Sequence, residues 1–249
     1  MTAWTERRNG VYLWFRSLLR DPERFDFHGC EVVLPSWVSN DTKYNVMRRR
    51  YEREEAQMAY KHLSVGDAVI ELGGSLGLVS ALVRSRIGPE PLHIVVEANA
   101  ALVEVLARNA GAGDRTRVVS GIVAPDDGSG TAPFYTHDST LLGTACPEQP
   151  SATGVAVPRV TIGGLVERFG LGEFAIVCDI EGGELDVLRE FEAHDGFRCT
   201  KIIAELHPDT LRQRGVPVDE FRLILSRLGF DHVDRADDTH VWLRRSLPN

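Results

Sequence analysis

Val69-Ile70-Glu71-Leu72-Gly73-Gly74-Ser75-Leu76-Gly77-Leu78 is the stretch on which the reading of this chain turns. Ala68–Glu71 reads as a short buried strand. From Leu78 to Ile87 the apolar residues recur at helical spacing. Gly73, Gly74 and Gly77 lie between the two. A strand that turns on glycines into a helix N-terminus is a nucleotide-binding turn, because a ligand can lie against backbone that carries no Cβ. A plain tight turn without a ligand would use the same residues.

The spacing narrows the ligand. A dinucleotide fingerprint starting at Gly73 needs glycines at positions 75 and 78, which hold Ser75 and Leu78. A dehydrogenase using NAD fails on that point. Glu71 stands where it would repel a pyrophosphate. S-adenosylmethionine has no phosphate and carries a sulfonium and an ammonium, so an acid beside the turn is welcome. Leu92–Val96 is a second apolar strand, and Glu97 closes it. A carboxylate there can accept both hydroxyls of a ribose; it also suits the start of the helix that follows.

Composition bounds the rest. With 249 residues, 43% of them hydrophobic, the chain reads as an N-terminal helical extension over residues 1–62 and one cofactor-binding domain over 63–249. The net charge is -8, and no basic stripe with interleaved aromatics is present, so nucleic acid is not an expected partner. Cys30, Cys146, Cys178 and Cys199 form no C-x-x-C pair, which argues against a zinc site or a disulfide framework. Cys178 and Cys199 read as small buried hydrophobes. No leader is expected, and no apolar run comes near the ~20 residues of a membrane helix, so a reducing, cytoplasmic setting away from membranes is expected.

In the extension, Val11–Leu19 and Tyr44–His62 read as helices, with an irregular stretch over residues 30–38 between them. The run Arg48-Arg49-Arg50, with Glu52, Arg53, Glu54 and Glu55, reads as a solvated helix face that could also lid the pocket. From residue 66 strands and helices alternate. The strands Arg117–Val123, Phe174–Ile180 and Lys201–Leu206 follow the first two, with helices Ala100–Ala110, Glu184–Glu192 and Val218–Leu228 between or after them. Phe230–Asp234 and His240–Arg244 suit an antiparallel edge hairpin. Continuous apolar strands alternating with helices predict a mainly parallel sheet covered on both faces, an α/β Rossmann-like fold.

One excursion, residues 125–160, is too long for an ordinary connection. Its extended pieces Ala132–Tyr135 and Val155–Val160 could pair, with His137-Asp138-Ser139-Thr140 between them. A surface loop and a substrate-facing flap both fit.

A second constellation closes the fourth and fifth strands: Asp179-Ile180-Glu181-Gly182-Gly183-Glu184, and Glu205-Leu206-His207. Ligands of open parallel sheets bind beyond the strand carboxyl ends. Glu71, Glu97, Asp179, Glu181, Glu205 and His207 should therefore share one rim. So many acids repel unless a cationic ligand, a metal or shared protons resolve them. Glu184 falls in a first helical turn, where its charge suits the dipole.

These residues resemble the FkbM-type methyltransferases. The likeness is carried by Tyr51–Glu55, Val69–Gly77, Val95–Glu97, Asn109, Val119–Tyr135, Val160–Leu165, Cys178–Leu188 and Ala204–His207, with Asp179 to Leu185 the most specific part. Glu71, Gly74 and Ser75 depart from the family's usual turn, and Ala98 replaces its usual proline after Glu97. The resemblance implies a Rossmann-like class I methyltransferase fold with S-adenosylmethionine as cofactor. It implies a cofactor site of Glu71, Gly73, Gly74, Ser75, Gly77, Glu97, Ala98, Ser120, Gly121, Ile122 and Asp179. Glu71 would face the methionine ammonium, and Ser120–Ile122 would border the adenine. The acceptor would be a small molecule, entering beside Asp179, Glu181 and His207 and under the 125–160 flap. A hydroxyl of a sugar, polyketide or other secondary metabolite is expected to be methylated, with a nitrogen as the alternative. A non-catalytic cofactor-binding module would need no such second group. His207 is expected as general base, oriented by Asp179 and Glu181, and a metal-free site is expected over an oxygen-rich divalent one. A homodimer stays open.

Overall fold

In the computed structural model, residues 9–11, 13–14, 21–125, 127–136, 143–144, 154–194 and 197–245 are described. The apolar runs form β3 (Val69–Leu72), β4 (His93–Glu97), β5 (Thr116–Ser120), β10 (Phe174–Cys178) and β11 (Cys199–Glu205), all parallel. A C-terminal hairpin, β12 (Phe230–Ala236) and β13 (Thr239–Arg244), adds antiparallel strands beside β11. The seven-stranded order is β12-β13-β11-β10-β3-β4-β5. The fold is a Rossmann-like α/β architecture. Successive strands run outward from β3 through β4 to β5, and the chain then returns to β10 on the other side of β3. That reversal opens a crevice at the carboxyl ends of β3 and β10.

Alternate strand residues feed two cores. Val69, Val177, Ile203 and Val241 pack on one face with Met58, Leu82 and Val83. Ile70, Ile176, Ile202 and Trp242 pack on the other with Leu165, Leu188, Phe191 and Phe221. Both faces are dry, which is why the strands carry unbroken apolar runs rather than an alternating pattern.

The extension differs from its sequence reading. Residues 30–38 are irregular only from 34 on: β1 (Arg24–Phe27) and β2 (Cys30–Val33) make a hairpin whose Phe25, Phe27 and Val32 are buried. Its two-residue turn, His28 and Gly29, has φ of 51° and 92°, the left-handed pair that such a turn needs. The single helix expected over 44–62 is two, α1 (Asn40–Met47) and α2 (Arg53–His62). The chain breaks between them at Arg49 and Glu52, with φ of 54° and 45°. Of the helix expected over 11–19, most residues lie outside the described ones.

The third strand also divides. β5 ends at Ser120, and β6 (Ile122–Val123) leaves the main sheet to pair with β9 (Val155–Val160). β9 pairs antiparallel with β7 (Thr131–Thr136), and β7 pairs with β8 (Gly143–Thr144). The two extended pieces of the 125–160 excursion thus form a small sheet, while His137–Thr140 lie outside the described residues. Sequence reading missed a helix, α5 (Ile162–Phe169), although its signals are present: the Thr161 side chain accepts from Gly164 N–H, and Gly170 closes the other end in the left-handed region. The remaining helices are α3 (Leu78–Ile87), α4 (Val103–Asn109), α6 (Glu184–Ala193), α7 (Pro208–Gln213) and α8 (Val218–Arg227). No helix among the described residues is long and apolar enough to cross a membrane.

Candidate active site

A cavity of about 320 Å³ lies at the β3–β10 crevice, within the size range of small-molecule sites. Its lining divides in two. Gly73, Ser75, Glu97, Ala98, Gly121 and Ile122 form one half, at the ends of β3, β4 and β5. Tyr51, Glu52, Glu54, Asp179, Glu181 and Glu205 form the other.

The glycines of the turn are required by the protein's own backbone. Gly73 has φ +88°, and a Cβ on it would sit 1.8 Å from the Asp179 carbonyl oxygen. A Cβ on Gly74 would meet Val95 and Leu106 at 2.5 and 2.7 Å, and one on Gly77 would meet the Leu106 carbonyl at 2.9 Å. Neither Gly74 nor Gly77 lines the cavity. These glycines let the turn press against β10 and α4. Gly73 also borders the cavity, whereas Gly74 and Gly77 serve this packing alone. The buried Asn109 ties the assembly to the N-terminal hairpin: it accepts from Val33 N–H at 2.7 Å and donates to the Val33 and Leu76 carbonyls at 2.9 and 2.7 Å.

Glu97 lines the cavity and fixes its rim. Its carboxylate accepts from Ser75 N–H at 2.8 Å and Asn99 N–H at 2.6 Å. Burial raises its pKa, against the lowering effect of those hydrogen bonds. Of the expected cofactor residues, Gly73, Ser75, Glu97, Ala98, Gly121, Ile122 and Asp179 border one space. Ser120 does not: it is exposed, one residue outside the lining.

Glu71 is also elsewhere. It is buried under the turn, where Ser80 Oγ donates to it at 2.5 Å and His93 Nε2 lies 2.7 Å away. Strand alternation aims it at α3 rather than into the cavity, so a contact between Glu71 and a methionine ammonium is corrected by this packing.

The second half is dense in carboxylates. Burial first, and then the charge of Glu205, push the Asp179 carboxyl up to about 7, with His207 working against them. Among the described residues, Asp179 Oδ1 accepts no hydrogen bond. Burial and the Asp179 charge hold Glu52 well above the ordinary carboxylate range. Burial also raises Glu205, which His207 partly offsets. Three lining residues adopt positive φ without being glycine: Glu52 at 45°, Ser75 at 46° and Glu181 at 36°. Such backbone costs about 1–3 kcal/mol each and gathers at functional sites.

His207 sits behind this wall and does not line the cavity. Its Nδ1 is 2.5 Å from Glu184 Oε1; its Nε2 is 3.1 Å from Glu181 and 3.8 Å from Asp179. Burial works to lower its pKa, but the hydrogen bond to Glu184 and the charges of Glu184, Glu181 and Asp179 prevail and carry it up to about 9. At neutral pH it is an imidazolium, and both ring nitrogens face acids. A free base at this position, the sequence expectation, is therefore replaced by a cation that holds carboxylates. Glu184, read as a helix-dipole residue, is that cation's buried partner and also accepts from Gly182 N–H. Arg214 closes the back of the segment, donating to the Gly182 carbonyl and to Asp186. No group of three His, Cys, Asp or Glu in a metal-holding arrangement occurs among the described residues.

Sequence reasoning favoured a solvated helix face for the run Arg48–Glu55, with a lid over the pocket as the other reading, and did not single out Tyr51, Glu52 and Glu54, which line the cavity. They were hidden in a charge run that suits a solvated helix equally well. Only the break before α2 turns them inward. Phe134, from the excursion, was also missed.

Comparison with known proteins decides the family. A model of the methyltransferase FkbM domain matches residues 74–231. The chain belongs to the FkbM methyltransferase family. Its members use S-adenosylmethionine, and this FkbM chain is a methyltransferase by that membership. No curated protein matches its sequence. Several solved structures are similar to it at low identity. Fibrillarin from Aeropyrum pernix, with natively bound S-adenosyl-L-methionine, is 12% identical, over 72% of this chain and 66% of that one, with a TM-score of 0.40. TrmK from M. capricolum, in complex with S-adenosyl-homocysteine, is 9% identical over 76% of this chain and 65% of that one, at 0.38. The mitomycin 7-O-methyltransferase MmcR is 15% identical over 83% of this chain and 57% of that one, at 0.41. The chain thus spans about two thirds or less of these three proteins.

The FkbM cavity fits the cofactor. The first half offers apolar walls and one carboxylate, as a nucleoside needs. The second offers negative charge to a sulfonium and an ammonium.

Proposed function

We propose that this methyltransferase O-methylates a small hydroxylated molecule, with Asp179 as general base. The observation that carries the reading is the placement of Asp179, a carboxyl with a pKa of about 7, in the cavity wall against the glycine turn. A base is most effective when its pKa lies near the working pH.

In this reading the Gly73–Ser75 turn, Val96–Asn99 and Gly121–Val123 hold the donor, with Glu97 on the ribose hydroxyls. S-adenosylmethionine supplies an electrophilic methyl group when bound. Asp179 takes the proton of the acceptor hydroxyl as the oxygen becomes the nucleophile. His207, held by Glu184, keeps Glu181 and Asp179 in place. In-line transfer gains much of its rate from alignment of the two reactants, which a rigid wall supplies. A nitrogen acceptor would give up its proton to the same carboxylate.

Calorimetry tests the donor half. S-adenosylmethionine and its demethylated product should bind, and NAD should give no heat. Glu97→Ala removes a charge-assisted contact of about 1.5–3 kcal/mol. Affinity for S-adenosylmethionine should then fall by roughly one to two decades, since each 1.4 kcal/mol is tenfold. NAD heat without S-adenosylmethionine heat would end this reading.

We further read the 125–160 excursion as a cover over the acceptor, because Phe134 reaches the cavity from it. Limited proteolysis within 125–160 should slow when S-adenosylhomocysteine is added. Equal cleavage with and without it favours a plain surface excursion.

A further inference from the structure

The family match begins at residue 74, yet part of the cavity wall comes from before it. Tyr51, at the break between α1 and α2, belongs to the N-terminal extension and stands where the two halves of the cavity meet. Its ring packs against the core that contains Met58, Leu82 and Val177. Its hydroxyl comes within hydrogen-bonding reach of the Ser75 side chain, in the first half, and of the Glu52 side chain, in the second. Burial and the charge of Glu52 hold that hydroxyl well above the usual tyrosine range. It stays neutral, so it can donate to the Glu52 carboxylate and accept from Ser75 Oγ.

Both partners are in left-handed backbone, Glu52 with φ of 45° and Ser75 with φ of 46°. In residues other than glycine that conformation persists only where the surroundings hold it. Around Ser75 the holding contacts are specific. Ser75 N–H donates to Glu97 at 2.8 Å. The next residue, Leu76, is buried, and its carbonyl accepts from Asn109, which also holds Val33 of the β1–β2 hairpin. The extension is thus tied to the turn at two adjacent residues, through Asn109 at Leu76 and through Tyr51 at Ser75.

We propose that Tyr51 is a positioning residue of the donor site: it sets Ser75, and Ser75 sets the Glu97 carboxylate that receives the ribose. The inference rests on the donor placement proposed above. A carboxylate meets two ribose hydroxyls only if its plane is fixed, and the N–H groups of Ser75 and Asn99 fix it. Without the Tyr51 hydroxyl, Ser75 keeps its N–H but loses a contact that holds its backbone in place. Tyr51 touches no reacting atom, so its loss is read in donor affinity.

The test uses the full chain and S-adenosylhomocysteine. Calorimetry reads affinity, and the melting temperature of the donor-free protein checks folding. Tyr51→Phe keeps the ring in its packing and removes the hydroxyl alone. Affinity should fall about three- to tenfold, the scale of one hydrogen bond, with the melting temperature within about 4 °C of wild type. Ser75→Ala should cost a similar factor, and the double variant no more than either single one, because both remove the same contact. In a Glu97→Ala background the Tyr51→Phe loss should shrink below about twofold, since the carboxylate to be positioned is gone. A merely structural role would not show that dependence. Wild-type affinity in Tyr51→Phe overturns the proposal. So does a full loss that persists without Glu97, which would put the hydroxyl on the donor itself. If Tyr51→Phe does not fold, Ser75→Ala decides by the same readings. No heat from S-adenosylhomocysteine with the wild-type chain overturns the donor placement instead, and is told apart because it appears before any substitution.

Discussion

Asp179→Asn is expected to lower turnover by a factor on the order of 10²–10⁴, the range of a lost general base. The amide keeps the shape of the side chain and cannot take a proton. In the native protein Asp179 is protonated below about 7 and ionised above it. Turnover per bound acceptor should therefore rise as pH passes up through about 7 and then level off. The variant should lose that dependence and show only a flat residual rate. Stability should not suffer, because the change removes a charge that stands beside Glu205 and Glu181. His207→Gln separates holding from catalysis. It withdraws a cation that lowers the Asp179 pKa, so the rise in the profile should move to higher pH while the ionised enzyme keeps a substantial rate. Wild-type turnover in Asp179→Asn would place the base elsewhere, with Glu181 next to be replaced.

Gly73→Ala is expected to be a severely damaging single methyl. Its Cβ would lie 1.8 Å from the Asp179 carbonyl oxygen, and its φ of +88° lies in the left-handed region. Overpacking costs about 1–3 kcal/mol, and left-handed backbone adds roughly 1–2. The sum is a large part of the ~5–15 kcal/mol that holds a domain. The melting temperature should fall on the order of 10 °C, at ~2–4 °C per kcal/mol for a chain of this size. Gly29→Ala is the control. It has φ +92° and nothing within 4 Å of the added atom, so it bears the backbone term alone. Equal melting temperatures for the two variants would mean that the β3–β10 contact yields without cost. A Gly73→Ala chain that does fold should still turn over slowly, because the atom it displaces belongs to Asp179.

Much of the fold could be read along the chain. Apolar runs closed by acids marked β3, β4, β10 and β11, and glycines marked the turn after β3, because strand burial and turn geometry are local demands on residue type. The edge hairpin was legible for the same reason. So were the carboxylates at the strand ends, since a parallel sheet brings those ends to one rim, and the family resemblance drew on the same residues.

Other features were decided only when distant segments met. Residues 44–62 have helical composition throughout, yet the chain breaks at Arg49–Glu52, and the break turns Tyr51, Glu52 and Glu54 into the cavity. Glu71 reads as a strand end like Glu97, but β3 runs on to Leu72, and Ser80 and His93 lie beneath Glu71 and take its carboxylate out of the site. His207 carries the residue type of a base, but three acids from the segment after β10 surround it and keep it charged. Gly73 carries the residue type of a ligand cradle and does border the cavity, but the place a Cβ would take is filled by the backbone of Asp179. In each case the sequence determined what the side chain can do. The neighbours brought across the β3–β10 crevice decided which of those things it does, because a charge or a missing methyl takes its meaning from what lies within a few ångströms of it.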